Sequence, residues 1–290
     1  MNIKFELYRF YLLYFKKLYL YCNSDYISGN AFKKLCNKKF NKNDKYYFKK
    51  IKDGDLIFLD YEDLNVFLNK VGELRDKKFG ILIHNLNGKI INEDLIASIP
   101  NNILFFSQNL NIKNNNLTNI HKIPTGLHNE NEIYYRKGTY THFKKFKTMN
   151  KAPAILCNIN FTTNPERKLI TKDILNLSTI HFRNFLKHKK YLELINEYMF
   201  VLCPEGTNID THRFWETLAN RSIPVVKKSN IYDYYQTLGV PMLLINEWQD
   251  LKKYSDKDLA EIYQNTDVKQ SFNYLKLDFW SHYIKSRLEN

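Results

Sequence analysis

The 290-residue chain carries 44 Lys and Arg against 30 Asp and Glu, a formal charge of +14, with 44% hydrophobic and 15% aromatic residues. That length holds one large or two medium domains, and the apolar fraction argues for a substantial core and against a disordered chain. The basic excess suits an anionic partner such as a nucleotide, nucleic acid or membrane surface, although the Lys, Asn, Ile and Tyr bias is also what an A/T-rich genome produces unselected.

The first segment, KFELYRFYLLYFKKLYLY, is aromatic but studded with Lys4, Glu6, Arg9, Lys16 and Lys17. It is too charged for a membrane span and lacks the basic, apolar and small-residue order of a signal peptide. Its interleaved rings and lysines suit either peripheral contact with a membrane or an amphipathic helix packed on its own domain. The four cysteines, Cys22, Cys36, Cys157 and Cys203, show neither metal-ligand spacing nor a dense disulfide pattern, so a reducing, cytoplasmic setting is expected.

After a lysine-rich approach over 33–52, strand-like apolar runs alternate with helical patterns. Strands are expected at Asp55–Leu59, Phe79–Ile83, Asn102–Phe106 and Ile120–Ile123, with helices from about Tyr61 to Arg75 and from Glu93. The stretch from about Glu130 to Lys151 is polar, basic and without period, which places a domain boundary near 148. The rhythm then resumes with strands at Ala154–Ile159, Phe200–Cys203, Ile223–Val226 and Met242–Ile245. Arg167 falls on or just before a helix; helices are expected over Lys190–Tyr198, Asp210–Asn220 and the tail from Leu251. Alternation in both halves predicts an α/β protein with two Rossmann-like parallel sheets. Their carboxyl edges would face a cleft, where ligands bind. The domains are 1–148 and 149–290.

The densest chemistry lies in Phe200–Lys227. Pro204-Glu205-Gly206 breaks a buried strand, Asp210 stands where a helix N-cap would, and Thr211, His212, Arg213 and Glu216 form the polar set of the first helical turns. A helix N-terminus fed by a strand's carboxyl end is suited to anions, because free N–H groups and the helix dipole converge there. Arg213 and Glu216 also fit an ordinary surface pair at i,i+3. His212 fits either a structural or a phosphate- or sugar-contacting role.

PEGTNIDTHRFWETLANRSIPVV resembles the donor-site segment of exostosin-like and related GT-B glycosyltransferases. Asn160-Phe161 followed by Glu166-Arg167 is similar to their strand-then-Arg element. Ile83-His84-Asn85, Ser107-Gln108-Asn109, Ile123–Leu127 and Val240-Pro241 with Trp248 extend the likeness across most of the chain from Asp55. The resemblance implies a GT-B-like fold and sugar transfer from a nucleotide-diphosphate donor, a UDP- or GDP-sugar, to a hydroxyl of a glycan, protein or lipid. It implies neither a cofactor nor an essential metal.

Arg167, Glu205, Gly206, Asp210, Thr211, His212, Arg213 and Glu216 are the expected donor-binding residues. The helix N-terminus, Arg167 and Arg213 would stabilise the leaving diphosphate. Asp60 and His84 each follow a first-half strand and are candidates for the base that takes the acceptor's proton; Asp60 equally suits a helix cap and His84 a turn. Two positions depart from the family pattern, Asn208 and Arg221 standing where it has Gly. Asn tolerates positive φ, whereas Arg221 is expected to bring bulk and charge beside the cleft. The rival reading is a catalytically silent protein of the same shape that uses its basic surface on nucleic acid or anionic membrane. No RNA-binding signature accompanies the Lys and Tyr of 33–52, so nucleic acid is not the expected partner.

Overall fold

The computed structural model describes residues 25–112, 117–129, 150–184 and 186–289. The aromatic N-terminal segment, Cys22 and nearly all of the stretch expected to separate the domains lie outside the described residues.

The first half supplies β1 (Lys38–Lys39), β2 (Leu56–Phe58), β3 (Phe79–Ile83), β4 (Ile91–Asn92), β5 (Ile103–Ser107), β6 (Leu110–Asn111) and β7 (Ile120–Lys122). Helices α1 (Gly29–Leu35), α2 (Leu64–Val71) and α3 (Glu93–Ile96) accompany them. The second half supplies β8 (Ala152–Cys157), β9 (Ile180–Phe182), β10 (Tyr198–Leu202), β11 (Ile223–Lys227) and β12 (Leu243–Ile245). Its helices are α4 (Lys172–Leu175), α5 (His188–Ile195), α6 (His212–Ala219), α7 (Asn230–Thr237), α8 (Asp256–Asn265) and α9 (Leu277–Glu289).

Two five-stranded sheets result, in the orders β1-β2-β3-β5-β7 and β12-β11-β10-β8-β9. Every pairing in them is parallel. The α/β class and the pair of parallel sheets expected of a GT-B-like fold are therefore present. β4 and β6 form a separate parallel ribbon. All five residues of β3 are buried, because a parallel sheet covered on both faces has no solvent side.

Alternate residues of each strand enter different cores. Leu56, Phe58 and Leu82 join a core shared by both halves, whereas Ile57, Leu59, Ile81 and Ile83 face the outer core of the first sheet. In β10, Val201 enters the shared core while Phe200 and Leu202 enter the outer core of the second sheet. Trp280 of α9 reaches the shared core and packs edge-on to Trp215, with ring centroids 6.3 Å apart. The segment leading into α9 also pairs with the one before α1: Ile27 N–H donates to Leu275 O and Leu277 N–H to Asp25 O.

Several boundaries differ from expectation. The helix expected over Tyr61–Arg75 is α2 flanked by 3-10 turns, Tyr61–Asp63 and Gly72–Leu74. Tyr198 belongs to β10, since Asn196 caps α5 and ends it. The tail is divided, α8 and α9 being interspersed with 3-10 turns at Trp248–Lys253 and Gln270–Leu275. Short β1 and β9, at the sheet edges, have too little apolar sequence to stand out.

Candidate functional site

The carboxyl edges of the two sheets meet around the loop between β10 and α6. Three first-half turns grip it. Gly88 N–H donates to Asn208 Oδ1 at 3.0 Å, Ile209 N–H to Asn109 Oδ1 at 2.8 Å, and Thr125 N–H to Asp210 Oδ2 at 2.6 Å. All three turns use left-handed backbone, at Gly88 (φ 86°), Asn109 (φ 54°) and Gly126 (φ 72°). A Cβ at Gly126 would lie 2.7 Å from Ile27 O, so both conformation and space demand glycine.

Asp210 does not cap the helix. Thr211 is the residue before α6, and it makes no side-chain cap hydrogen bond. Asp210 is fully buried and accepts from Thr125 N–H, Trp215 Nε1–H at 2.8 Å and Tyr235 O–H at 2.9 Å. Burial pushes its pKa up to about 7 against the pull of those donors. The carboxylate pins the first half to α6 and α7.

Asn208 is likewise a fastener: it is not among the residues with positive φ, and its side chain bridges to Gly88. Arg221, by contrast, adopts left-handed backbone (φ 55°). It does not flank the cleft. It follows the carboxyl end of α6 and precedes β11, so it lies at the sheet edge opposite the site.

Arg167, buried on a 3-10 turn (Pro165–Leu169), braces the loop from beneath. Its Nε donates to Glu205 O at 2.7 Å and its Nη1 to Asn160 O at 2.9 Å. Burial and then the charge of Arg213 lower its pKa to about 10. Gly206 lets this brace approach, since a Cβ there would sit 3.2 Å from Arg167 Nη2. Glu205 contributes its carbonyl to Arg167; burial and then Glu166 raise the pKa of its carboxyl.

At the start of α6, two polar atoms have no hydrogen-bond partner among the described residues. These are Thr211 Oγ1 and Arg213 Nη1, both buried. The Arg213 guanidinium lies over the Tyr191 ring at 4.6 Å, which fixes its plane without using its N–H groups. A positively charged fork with a free, desolvated donor beside a helix N-terminus is chemically an anion receptor.

Glu216, one turn further, is buried and accepts from His188 Nε2 at 2.6 Å, with His128 Nε2 3.8 Å away. Burial opposes its charge, but the His188 hydrogen bond and the nearby imidazoles hold its pKa down to about 2. His212 contacts Gly126 O through Nδ1 at 2.8 Å and lies 3.8 Å, centroid to centroid, from His128. A carbonyl only accepts, so His212 Nδ1 carries the proton. His128 and His188 were missed in the sequence. His128 is two residues beyond the Gly126 turn, and His188 opens a helix with no motif around it. Their donor atoms and Glu216's lie within 4.8 Å of one another, a grouping that suits a metal ion.

The expected bases fare differently. His84 is buried and committed at both nitrogens: Nε2 lies 2.9 Å from Pro124 O and Nδ1 accepts from Asn85 N–H at 2.8 Å. Burial lowers its pKa to about 4. In this arrangement it is a neutral fastener with both ring nitrogens engaged. Asp60 is paired with Lys39 at 2.8 Å and makes no side-chain cap bond to the turn it precedes.

No family model matches the chain, and no curated protein matches it. Solved structures do. An E. coli structure described as trehalose-6-phosphate bound with UDP-2-fluoro glucose is 11% identical over 85% of this chain and 75% of that one, with a TM-score of 0.46. A UDP-forming α,α-trehalose-phosphate synthase from Burkholderia vietnamiensis is 10% identical over 82% and 72%, at 0.45. The N-terminal domain of a Candida albicans trehalose-6-phosphate phosphatase is 11% identical over 83% and 72%, at 0.47. These likenesses are remote, and the chemistry of the site rests on the chain's own residues. No helix among the described residues is long and apolar enough to cross a membrane.

Proposed function

We propose that the chain is a glycosyltransferase that moves a sugar from a nucleotide-diphosphate donor to a hydroxyl acceptor, with the diphosphate held at the start of α6. The observation that carries this reading is Arg213, stacked on Tyr191 with Nη1 buried and unbonded next to the open N-terminus of α6. As the glycosidic bond breaks, charge grows on the leaving diphosphate. A preorganised guanidinium and backbone N–H groups stabilise that charge more than the ground state. Thr211 Oγ1 supplies a further donor. Arg167 acts one layer below, holding the carbonyls of Glu205 and Asn160 so that the loop keeps its shape.

UDP and GDP are the two donor products to try, and the acceptor hydroxyl belongs to a glycan, protein or lipid. The acceptor's proton goes to a group other than His84, whose ring nitrogens are both engaged. Thermal denaturation with a panel of nucleoside diphosphates tests the reading, because a ligand bound only by the folded state raises Tm. A rise with UDP or GDP is expected. No rise with any nucleotide, together with nucleic-acid binding that weakens steeply with salt, contradicts it and favours the silent binding protein.

A further inference from the structure

Three elements far apart in sequence bring His128, His188 and Glu216 together. His128 comes from the loop after β7, His188 opens α5, and Glu216 lies in α6. We propose that these three side chains form a binding site for a divalent transition metal of the zinc and cobalt class. Both imidazoles approach the same carboxylate oxygen, at 2.6 Å from His188 Nε2 and 3.8 Å from His128 Nε2. With the 2.6 Å contact to His188 already made, the approach of a second imidazole nitrogen from another element gathers three ligand-type atoms within 4.8 Å of one another.

The donor set indicates which ions would fit. Two imidazole nitrogens and one carboxylate suit Zn2+ or Co2+, whereas Mg2+ and Ca2+ prefer all-oxygen shells. Bonds of about 2.1 Å to a tetrahedral ion put ligand atoms roughly 3.4 Å apart. The His188–Glu216 contact would open slightly and the His128–Glu216 gap would close slightly, both within side-chain reach. Three protein ligands leave a fourth position for water, the arrangement of zinc sites that do chemistry and not of structural ones.

The surroundings resemble an outer shell. His212 lies against His128 with ring centroids 3.8 Å apart and is itself held by Gly126 O, so it helps to orient one ligand. Because His128 belongs to the first half and the other ligands to the second, a bound ion would also join the two halves at their carboxyl edges. The site does not depend on the nucleotide reading, and its test uses neither nucleotide nor activity.

Co2+ is added to the full-length protein after chelator treatment, and the visible d–d spectrum is followed. The expected result is an intense tetrahedral-type spectrum saturating at one equivalent, abolished by Zn2+, with Zn2+ also raising Tm. H128A and H188Q should each weaken Co2+ binding at least tenfold. H188Q keeps a side chain able to bond Glu216, so the fold is retained for comparison, and circular dichroism checks it. A featureless spectrum with no rise in Tm overturns the proposal, as does a spectrum that survives unchanged in both variants.

Discussion

Thr125 N–H and the Asp210 carboxylate, 85 residues apart in sequence, meet at 2.6 Å in the buried seam between the two sheets. Thr125 Oγ1 returns a second bond to Asp210 O at 2.9 Å. The first half thus holds the start of α6 at two points, and the placing of that helix end is set by tertiary contact as much as by its own sequence.

Replacing Asp210 by Ala would leave Thr125 N–H, Trp215 Nε1–H and Tyr235 O–H buried without acceptors. A loss of about 3 kcal/mol or more is expected in urea denaturation, from the cost of stranding such groups. An unchanged midpoint would mean that water replaces the carboxylate at no cost.

The same residue predicts a pH dependence. Its folded pKa, about 7, lies above the ordinary 3.8, so the folded state retains a proton that the unfolded state releases. That contribution is fully present below pH 3.8 and is lost as pH rises through about 7. Between pH 5 and 8 the wild type should therefore lose more stability than Asp210→Asn. Glu216 has the opposite sign. Its pKa of about 2 lies below the usual 4.5, so its contribution is present above pH 4.5 and is lost as pH falls toward 2.

Arg221 holds φ at 55° with a full side chain, a conformation that costs a non-glycine residue roughly 1–2 kcal/mol. Arg221→Gly should raise stability by about 1 kcal/mol, part of the relief being offset by the greater freedom of the unfolded glycine. Nucleotide affinity should not change, because the residue lies at the edge of the sheet away from the site. A stability loss would show that Arg221 makes a compensating interaction.

Gly206→Ala tests the brace beneath the loop. The added methyl would lie 3.2 Å from Arg167 Nη2, within a contact that has to give. The loop carbonyls held by Arg167 should shift and nucleotide affinity should fall several-fold. Unaltered affinity would mean that loop and receptor are mechanically independent.

The strands were legible because buried parallel strands are continuous apolar runs, and β3 and β10 stand out on that ground alone. The start of α6 was legible too, from the change from Pro-Glu-Gly to a helical pattern. What the local signals misassigned were residues whose partners are remote. An Asp just before a helix reads as a cap, yet Asp210 is bound by Thr125, Trp215 and Tyr235. Asn208 reads as a turn former, yet its partner is Gly88, 120 residues earlier. His128 and His188 carry no motif at all; only the folded chain brings them to Glu216. Arg221 was expected to bring bulk and charge beside the cleft, yet it follows the carboxyl end of α6 in left-handed backbone, which a reading of residue type alone does not reveal.

On the function proposed above, Arg213 receives the diphosphate of a nucleotide donor. Calorimetric titration of UDP and GDP into wild-type protein and Arg213→Ala tests it most directly. At least one nucleotide should bind the wild type at one equivalent. The variant should lose about 1.5–3 kcal/mol, the worth of a charge-assisted hydrogen bond, or about 10- to 150-fold in Kd. If neither nucleotide binds, or if a folded Arg213→Ala binds as tightly as the wild type, Arg213 is not a diphosphate receptor.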